Sequence, residues 1–171
     1  MIFRQLFEPE SSTYTYLLSC PDTGVTALID PVIETVDRDL QVLQELGLRP
    51  DFAIETHIHA DHITGGLMLR TRTGCKLAGP ALDALPCRDV ALREGEPMRI
   101  GNLVLNPLFT PGHTDTHHAY LLDHGGLPML FSGDALLIEA CGRTDFQSGD
   151  AGALYNSIHN KLFSLPDETL V

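Results

Sequence analysis

The sequence predicts an α/β fold built on a mixed sheet, with two sheets packed together and helices outside. Three observations carry this. Short strand-like runs joined by tight turns recur in both halves of the chain, and the helical runs between them have one apolar face each. One strand also reads straight into a loop bearing His57, His59, Asp61 and His62, four metal-competent side chains in six residues. Open α/β sheets keep their sites at the carboxyl ends of strands, on loops held by a rigid scaffold.

Residues 2–7 alternate and read as a strand, and 8–12 as a turn. Residues 13–18 form a second strand, rich in aromatic and β-branched side chains. Pro21-Asp22-Thr23-Gly24 turns the chain into a returning arm over 25–29, which Asp30-Pro31 ends. A helix runs from an N-cap at about Thr35 to Leu46, with Val36, Leu40 and Leu43 on one face and Gly47 closing it. The ligand-bearing strand follows at Phe52. After the loop come a short helix over 67–73 ending at Gly74, a brief strand over 76–78 and a helical turn over 80–85. Gly101-Asn102 makes a hairpin within 99–108, and a second hairpin joins 118–122 to 128–131. The last helix starts near Asp150, with Leu154, Ile158 and Leu162 spaced by four, and Pro166 stops it. Residues 169–171 look like the opening of another strand.

With 171 residues, the chain reads as a single domain able to bury a core without staples. Its net charge of -12 argues against a nucleic-acid surface, which needs clustered Lys and Arg. A cation would consume part of that charge, with Asp61 and Asp134 as candidates. Cys20, Cys75, Cys87 and Cys141 have neither CxxC nor zinc-finger spacing and read as free thiols. Neither a targeting segment nor an apolar run of spanning length is present, so the expected setting is cytoplasmic and reduced, without a membrane (the mitochondrial matrix in a eukaryote).

Two further stretches carry chemistry: Thr110-Pro111-Gly112-His113 and Phe131-Ser132-Gly133-Asp134. Each places a ligand-type side chain just past a strand, which favours a metal site over a solvated His-rich loop. His117 and His118 read as a strand start, one inward and one in solvent, and His124 and His159 as surface groups. Tyr14, Tyr16 and Tyr155 read as packing residues.

With His57-x-His59-x-Asp61-His62, His113 and Asp134 in place, the chain resembles the metallo-β-lactamase superfamily. Within it the chain is most similar to the persulfide dioxygenases, the ethylmalonic encephalopathy protein family. The stretches that carry this are residues 3–9, 28–32, 56–65, 132–138 and 141–147. The last, Cys-Gly-Arg-Thr-Asp-Phe-Gln, is the most diagnostic, since the glyoxalase II pattern lacks Thr-Asp-Phe-Gln there. The resemblance implies an αββα sandwich with a metal at one edge between the sheets. It implies one Fe(II) per chain on His57, His113 and Asp134, with His59, Asp61 and His62 outside the ligand set. Two imidazoles and a carboxylate on one face of Fe(II) leave positions open for two reactants. Those reactants would be glutathione persulfide and O2, giving sulfite and glutathione. A homodimer, and a sulfurtransferase supplying the persulfide, are partners the residues themselves leave open. The family's chain continues past Val171 with segments that complete the second sheet and help hold glutathione, so the C-terminal part of the second half is missing here.

Arg143 and Cys141 fall on the expected rim as substrate-binding candidates. Arg143 would meet a glutathione carboxylate through its planar fork or brace the loop against Asp145. Cys141 reads as a packed small residue rather than a reactive thiol. Two other functions compete. In a zinc-dependent thioester hydrolase of the glyoxalase II kind, His59 and His62 would also bind metal. The other is an inactive, truncated metal-binding remnant.

Overall fold

Alternation at the start of the chain becomes the hairpin of β1 (Ile2–Glu8) and β2 (Thr13–Ser19), and β2 pairs antiparallel with β3 (Thr26–Ile29). The computed structural model describes all residues from Met1 to Val171. From β3 onward the first sheet turns parallel, through β4 (Phe52–Ile54), β5 (Lys76–Pro80) and β6 (Val90–Leu92), in spatial order 1-2-3-4-5-6. The sequence reading missed β6, whose three residues are flanked by charges and lack an alternating run.

Parallel strands need crossovers; two helices supply the first two, and a 3-10 turn (Ala81–Asp83) lies on the third, from β5 to β6. Helix α1 (Val36–Glu45) follows a 3-10 turn over Ile33–Thr35 and buries Val36 and Leu43 against the sheet. The Thr35 hydroxyl does not cap it, but donates back to the Val32 carbonyl at 3.2 Å. Helix α2 (Gly66–Thr73) ends at Gly74, whose φ of 76° is the left-handed conformation that glycine adopts without strain.

A second, antiparallel sheet contains β7 (Met98–Ile100), β8 (Leu103–Phe109), β9 (His118–His124) and β10 (Leu127–Phe131), in the order 10-9-8-7. Its outer face carries α3 (Ala151–Ser157), which runs on into a π-helical turn (Ile158–Leu162). Asp150 caps α3, its Oδ1 accepting from the Ala153 amide at 2.6 Å. Leu170 pairs in parallel along β10, so the expected strand opening exists as a single bridge.

Three apolar layers hold this αββα sandwich together. The central one lies between the sheets and includes Leu18, Ile29, Ile54, Ile100, Leu105, Tyr120 and Leu122. A second joins α1 and α2 to the first sheet through Leu17, Leu28, Leu43 and Leu69, and a third joins α3 to the second through Ala119, Leu130 and Leu154. Each large apolar side chain so buried contributes about 1.5–3 kcal/mol. Tyr120 does more than fill space: its hydroxyl donates to the Glu55 carbonyl at 2.6 Å, tying the second sheet to the end of β4. No helix is long and apolar enough to cross a membrane.

Candidate metal centre

The parallel pairing of β3 and β4 sets Ile29 beside Ile54, so Asp30 and Thr56 leave the sheet side by side. Asp30 is buried and adopts a φ of 49°, a left-handed conformation that Asp tolerates better than most residues. Its Oδ1 accepts from the Thr56 amide at 2.7 Å, and its Oδ2 from the Thr56 hydroxyl at 2.9 Å. A carboxylate can only accept, so the Thr56 hydroxyl proton is committed to Asp30. The Thr56 Oγ1 lone pair then accepts from His57 Nδ1–H at 2.9 Å. His57 thereby holds its lone pair on Nε2, which is buried and has no hydrogen-bond partner. Burial, reinforced by the neighbouring imidazoles, holds the His57 pKa well below its usual range, so the ring is neutral.

His113 is fixed from the opposite side. The Gly112 that precedes it has a φ of 137°, and a Cβ there would lie 2.2 Å from the Leu154 amide nitrogen in α3. Only glycine lets the turn sit this close to the helix. His113 Nδ1–H donates to the Arg143 carbonyl at 2.8 Å, so His113 also presents its lone pair at Nε2. That atom is 3.3 Å from Asp134 Oδ2. Asp134 lies in the 3-10 turn Gly133–Ala135 that follows β10, and burial raises its pKa more than His113 lowers it.

His57, His113 and Asp134 each offer one ligand atom, all within 4.8 Å of one another. Both imidazoles present lone pairs, one Nε2 is buried without a partner, and the carboxyl is short of positive charge. Those residues fit a divalent cation.

His59 is held differently. Its Nε2 lies 3.2 Å from Asp30 Oδ1 and 3.5 Å from Glu55 Oε2. Burial alone would keep this ring neutral, but the two carboxyl groups outweigh it and hold the His59 pKa well above its usual range. Burial also opposes the charge on Asp30, yet His59 and the Thr56 bonds win and lower its pKa. For Glu55 burial prevails and raises the pKa. The cluster thus favours the charged forms of His59 and Asp30 and the neutral form of Glu55. Beside them, His62 Nδ1 lies 3.1 Å from Asp61 Oδ2, and His59, Asp61 and His62 make a second group of ligand atoms within 4.8 Å.

Other sequence expectations come out unevenly. Cys141 is exposed, not packed, because residues 141–149 form a surface loop around the Arg143 backbone. The Arg143 guanidinium is spread on Asp145 at 2.7 and 3.0 Å, the bracing contact. Cys141 and Arg143 line a recess of about 660 Å³ with Leu137, Tyr155, His159 and Phe163, beside the His113 loop. Tyr155 is thus exposed rather than core. His117 and His118 are both buried, contrary to the inward-and-outward expectation, because His117 lies in the loop before β9 and turns under it. Burial first, and then His113, lower the His117 pKa to about 3. Sequence reasoning missed Asp30, Glu55 and the Arg143 carbonyl. For Asp30 a signal existed, an acidic residue ending the strand next to the ligand-bearing one.

The Metallo-beta-lactamase superfamily profile matches residues 9–171. The chain belongs to that superfamily. Within it, persulfide dioxygenase ETHE1 of Homo sapiens, a mitochondrial protein, is 46% identical across all of this chain and 66% of its own length. The crystal structure of ETHE1 from Myxococcus xanthus superposes with a TM-score of 0.91 at 50% identity, over 98% of this chain and 72% of that one. Hydroxyacylglutathione hydrolase of Methylococcus capsulatus is more distant, 38% identical over 92% of this chain and 60% of its own. These similarities place the chain with ETHE1 inside the metallo-β-lactamase superfamily, although it spans only 66% of the length of the human relative.

Proposed function

We propose that this chain carries the core of a persulfide dioxygenase, with His57, His113 and Asp134 holding one Fe(II). The observation that carries the reading is the ligand set itself: two imidazoles locked with Nε2 lone pairs and one carboxylate, their ligand atoms within 4.8 Å of one another. Such a set leaves open positions, and ferrous iron bound there supplies redox chemistry between O2 and a sulfur ligand. The overall reaction is glutathione persulfide + O2 + H2O → glutathione + sulfite + 2 H⁺, in which the outer sulfur loses four electrons and O2 gains them.

The chain's own residues orient and exclude. Asp30 and Thr56 keep the His57 proton on Nδ1, and the Arg143 carbonyl does the same for His113. The recess lined by Leu137, Cys141, Arg143 and Tyr155 takes the glutathione moiety, with Arg143 available to one of its carboxylates. Holding the reacting sulfur and O2 at one point supplies orientation worth a large share of the barrier.

A second reading, a dinuclear zinc thioester hydrolase, is favoured by the His59, Asp61 and His62 group and by the similarity to hydroxyacylglutathione hydrolase. Anaerobic metal loading followed by metal analysis, oxygen uptake with glutathione persulfide and hydrolysis of a glutathione thioester separates the two. We expect about one iron per chain and oxygen uptake. Two zinc ions per chain with thioesterase activity and no oxygen uptake would overturn the dioxygenase reading.

A further inference from the structure

The three proposed ligands come from three separate loops, and one side chain touches all three. His117 is fully buried, and its Nδ1 lies 2.8 Å from Thr110 Oγ1. That hydroxyl also accepts from the Ala119 amide at 3.0 Å, which pins the start of the Thr110–His113 turn to β9. The opposite edge of the ring, Nε2, is buried without a hydrogen-bond partner. It faces Gly133, the residue before Asp134: a Cβ there would lie 2.7 Å from His117 Nε2 and 2.7 Å from Thr56 Oγ1. The His117 ring also packs on His57, with centroids 5.0 Å apart and planes tilted by 32°. It lies farther from His113, at 6.3 Å, and reaches that residue through its loop.

We infer that His117 is a positioning residue, an imidazole wedged between the loops that carry His57, His113 and Asp134 and setting their mutual spacing. Two features separate this from ordinary filling of the core. One edge of the ring is bonded to the loop of one ligand, while the other edge rests where Gly133 and Thr56 meet, against the loops of the other two. Gly133 itself has a φ of 50° and no room for a side chain, so the Asp134 turn closes on the imidazole itself. The inference rests on the metal reading above but not on which metal is used or which reaction follows.

The test measures metal hold directly, in the full 171-residue chain stripped of metal. Co(II) is titrated in competition with a chromophoric chelator, and its visible ligand-field spectrum is recorded for the parent, His117→Leu, His117→Asn and Thr110→Val. His117→Leu keeps most of the volume and loses both polar edges. His117→Asn can still bond Thr110, and Thr110→Val removes that bond with the ring in place. Expected are a loss of Co(II) affinity of about 10- to 100-fold in His117→Leu with a changed spectrum, and a smaller loss in Thr110→Val. His117→Asn should recover part of the affinity and the parent spectrum, a rescue that mere filling would not give. Melting of each metal-free variant identifies any that does not fold. If His117→Leu does not fold, the order parent, Asn, Val decides alone. Parent affinity and spectrum in every folded variant overturn the positioning role and leave the metal reading standing. A parent that holds no Co(II) overturns both.

Discussion

Replacing Asp30 by Asn tests the link between a buried carboxylate and the proton on His57. The side chains are nearly isosteric, and Asn tolerates the φ of 49° at this position, so the backbone has no reason to move. What changes is that one acceptor becomes a donor. If the amide oxygen stays where Oδ1 accepts from the Thr56 amide and from His59, the new NH2 points at Thr56 Oγ1. The Thr56 hydroxyl must then turn its proton toward His57 Nδ1, which moves the His57 proton to Nε2, the atom meant for metal. His59 also loses its charged partner. Breaking a buried ion pair costs roughly 3–5 kcal/mol, and the lower end applies because Glu55 Oε2 waits 3.5 Å from the ring. The metal-free protein should therefore lose about 3 kcal/mol in urea unfolding at neutral pH. Metal affinity, read by chelator competition, should fall by about 10- to 100-fold, equivalent to about 1.4–2.7 kcal/mol. Full metal affinity in a folded Asp30→Asn variant would refute the proton relay. A stability unchanged within error would refute the charged Asp30–His59 pair.

Two further outcomes follow from the loops. Gly112→Ala drives a methyl into the backbone of α3 at a φ of 137°, and overpacking plus backbone strain should together destabilise by roughly 2–5 kcal/mol in urea unfolding; a loss below about 1 kcal/mol would mean that the turn is not wedged against the helix. Arg143→Ala keeps the carbonyl that orients His113, so metal affinity should hold, while KM for glutathione persulfide rises about tenfold with kcat unchanged. An unchanged KM would leave the guanidinium as a brace for Asp145, and a lost kcat would put it in the chemistry.

Much of the fold was legible because its signals are local. Gly74 and Gly101, the Asp150 cap and the spacing of Leu154, Ile158 and Leu162 each act within a few residues. Strand β6 was not legible, because three residues carry no periodicity and their pairing with β5 is decided by a partner distant in sequence. The burial of His117 and His118 was hidden for the same reason. Adjacent residues on a strand face opposite ways, but His117 precedes the strand and the loop turns it under the sheet. Cys141 failed on a different ground, since a small apolar-looking residue is packed only if something covers it, and the 141–149 loop lies on the surface.

The candidate site shows where local reading must stop. His57, His59, Asp61 and His62 share one loop, which contributes His57 to one group of ligand atoms, with His113 and Asp134, and His59, Asp61 and His62 to another. Asp30 bears on both groups, 26 residues before Thr56 in sequence yet hydrogen-bonded to it in space and 3.2 Å from His59 Nε2. By taking the Thr56 hydroxyl proton, Asp30 leaves the His57 lone pair on Nε2, and by accepting from His59 Nε2 it fixes the orientation of that ring as well. One carboxylate thus orients two imidazoles, one through Thr56 and one directly. Parallel pairing of β3 with β4 is what brings it within reach of both. The orientation of these imidazoles is therefore a property of sheet topology, and a motif confined to one loop cannot contain it.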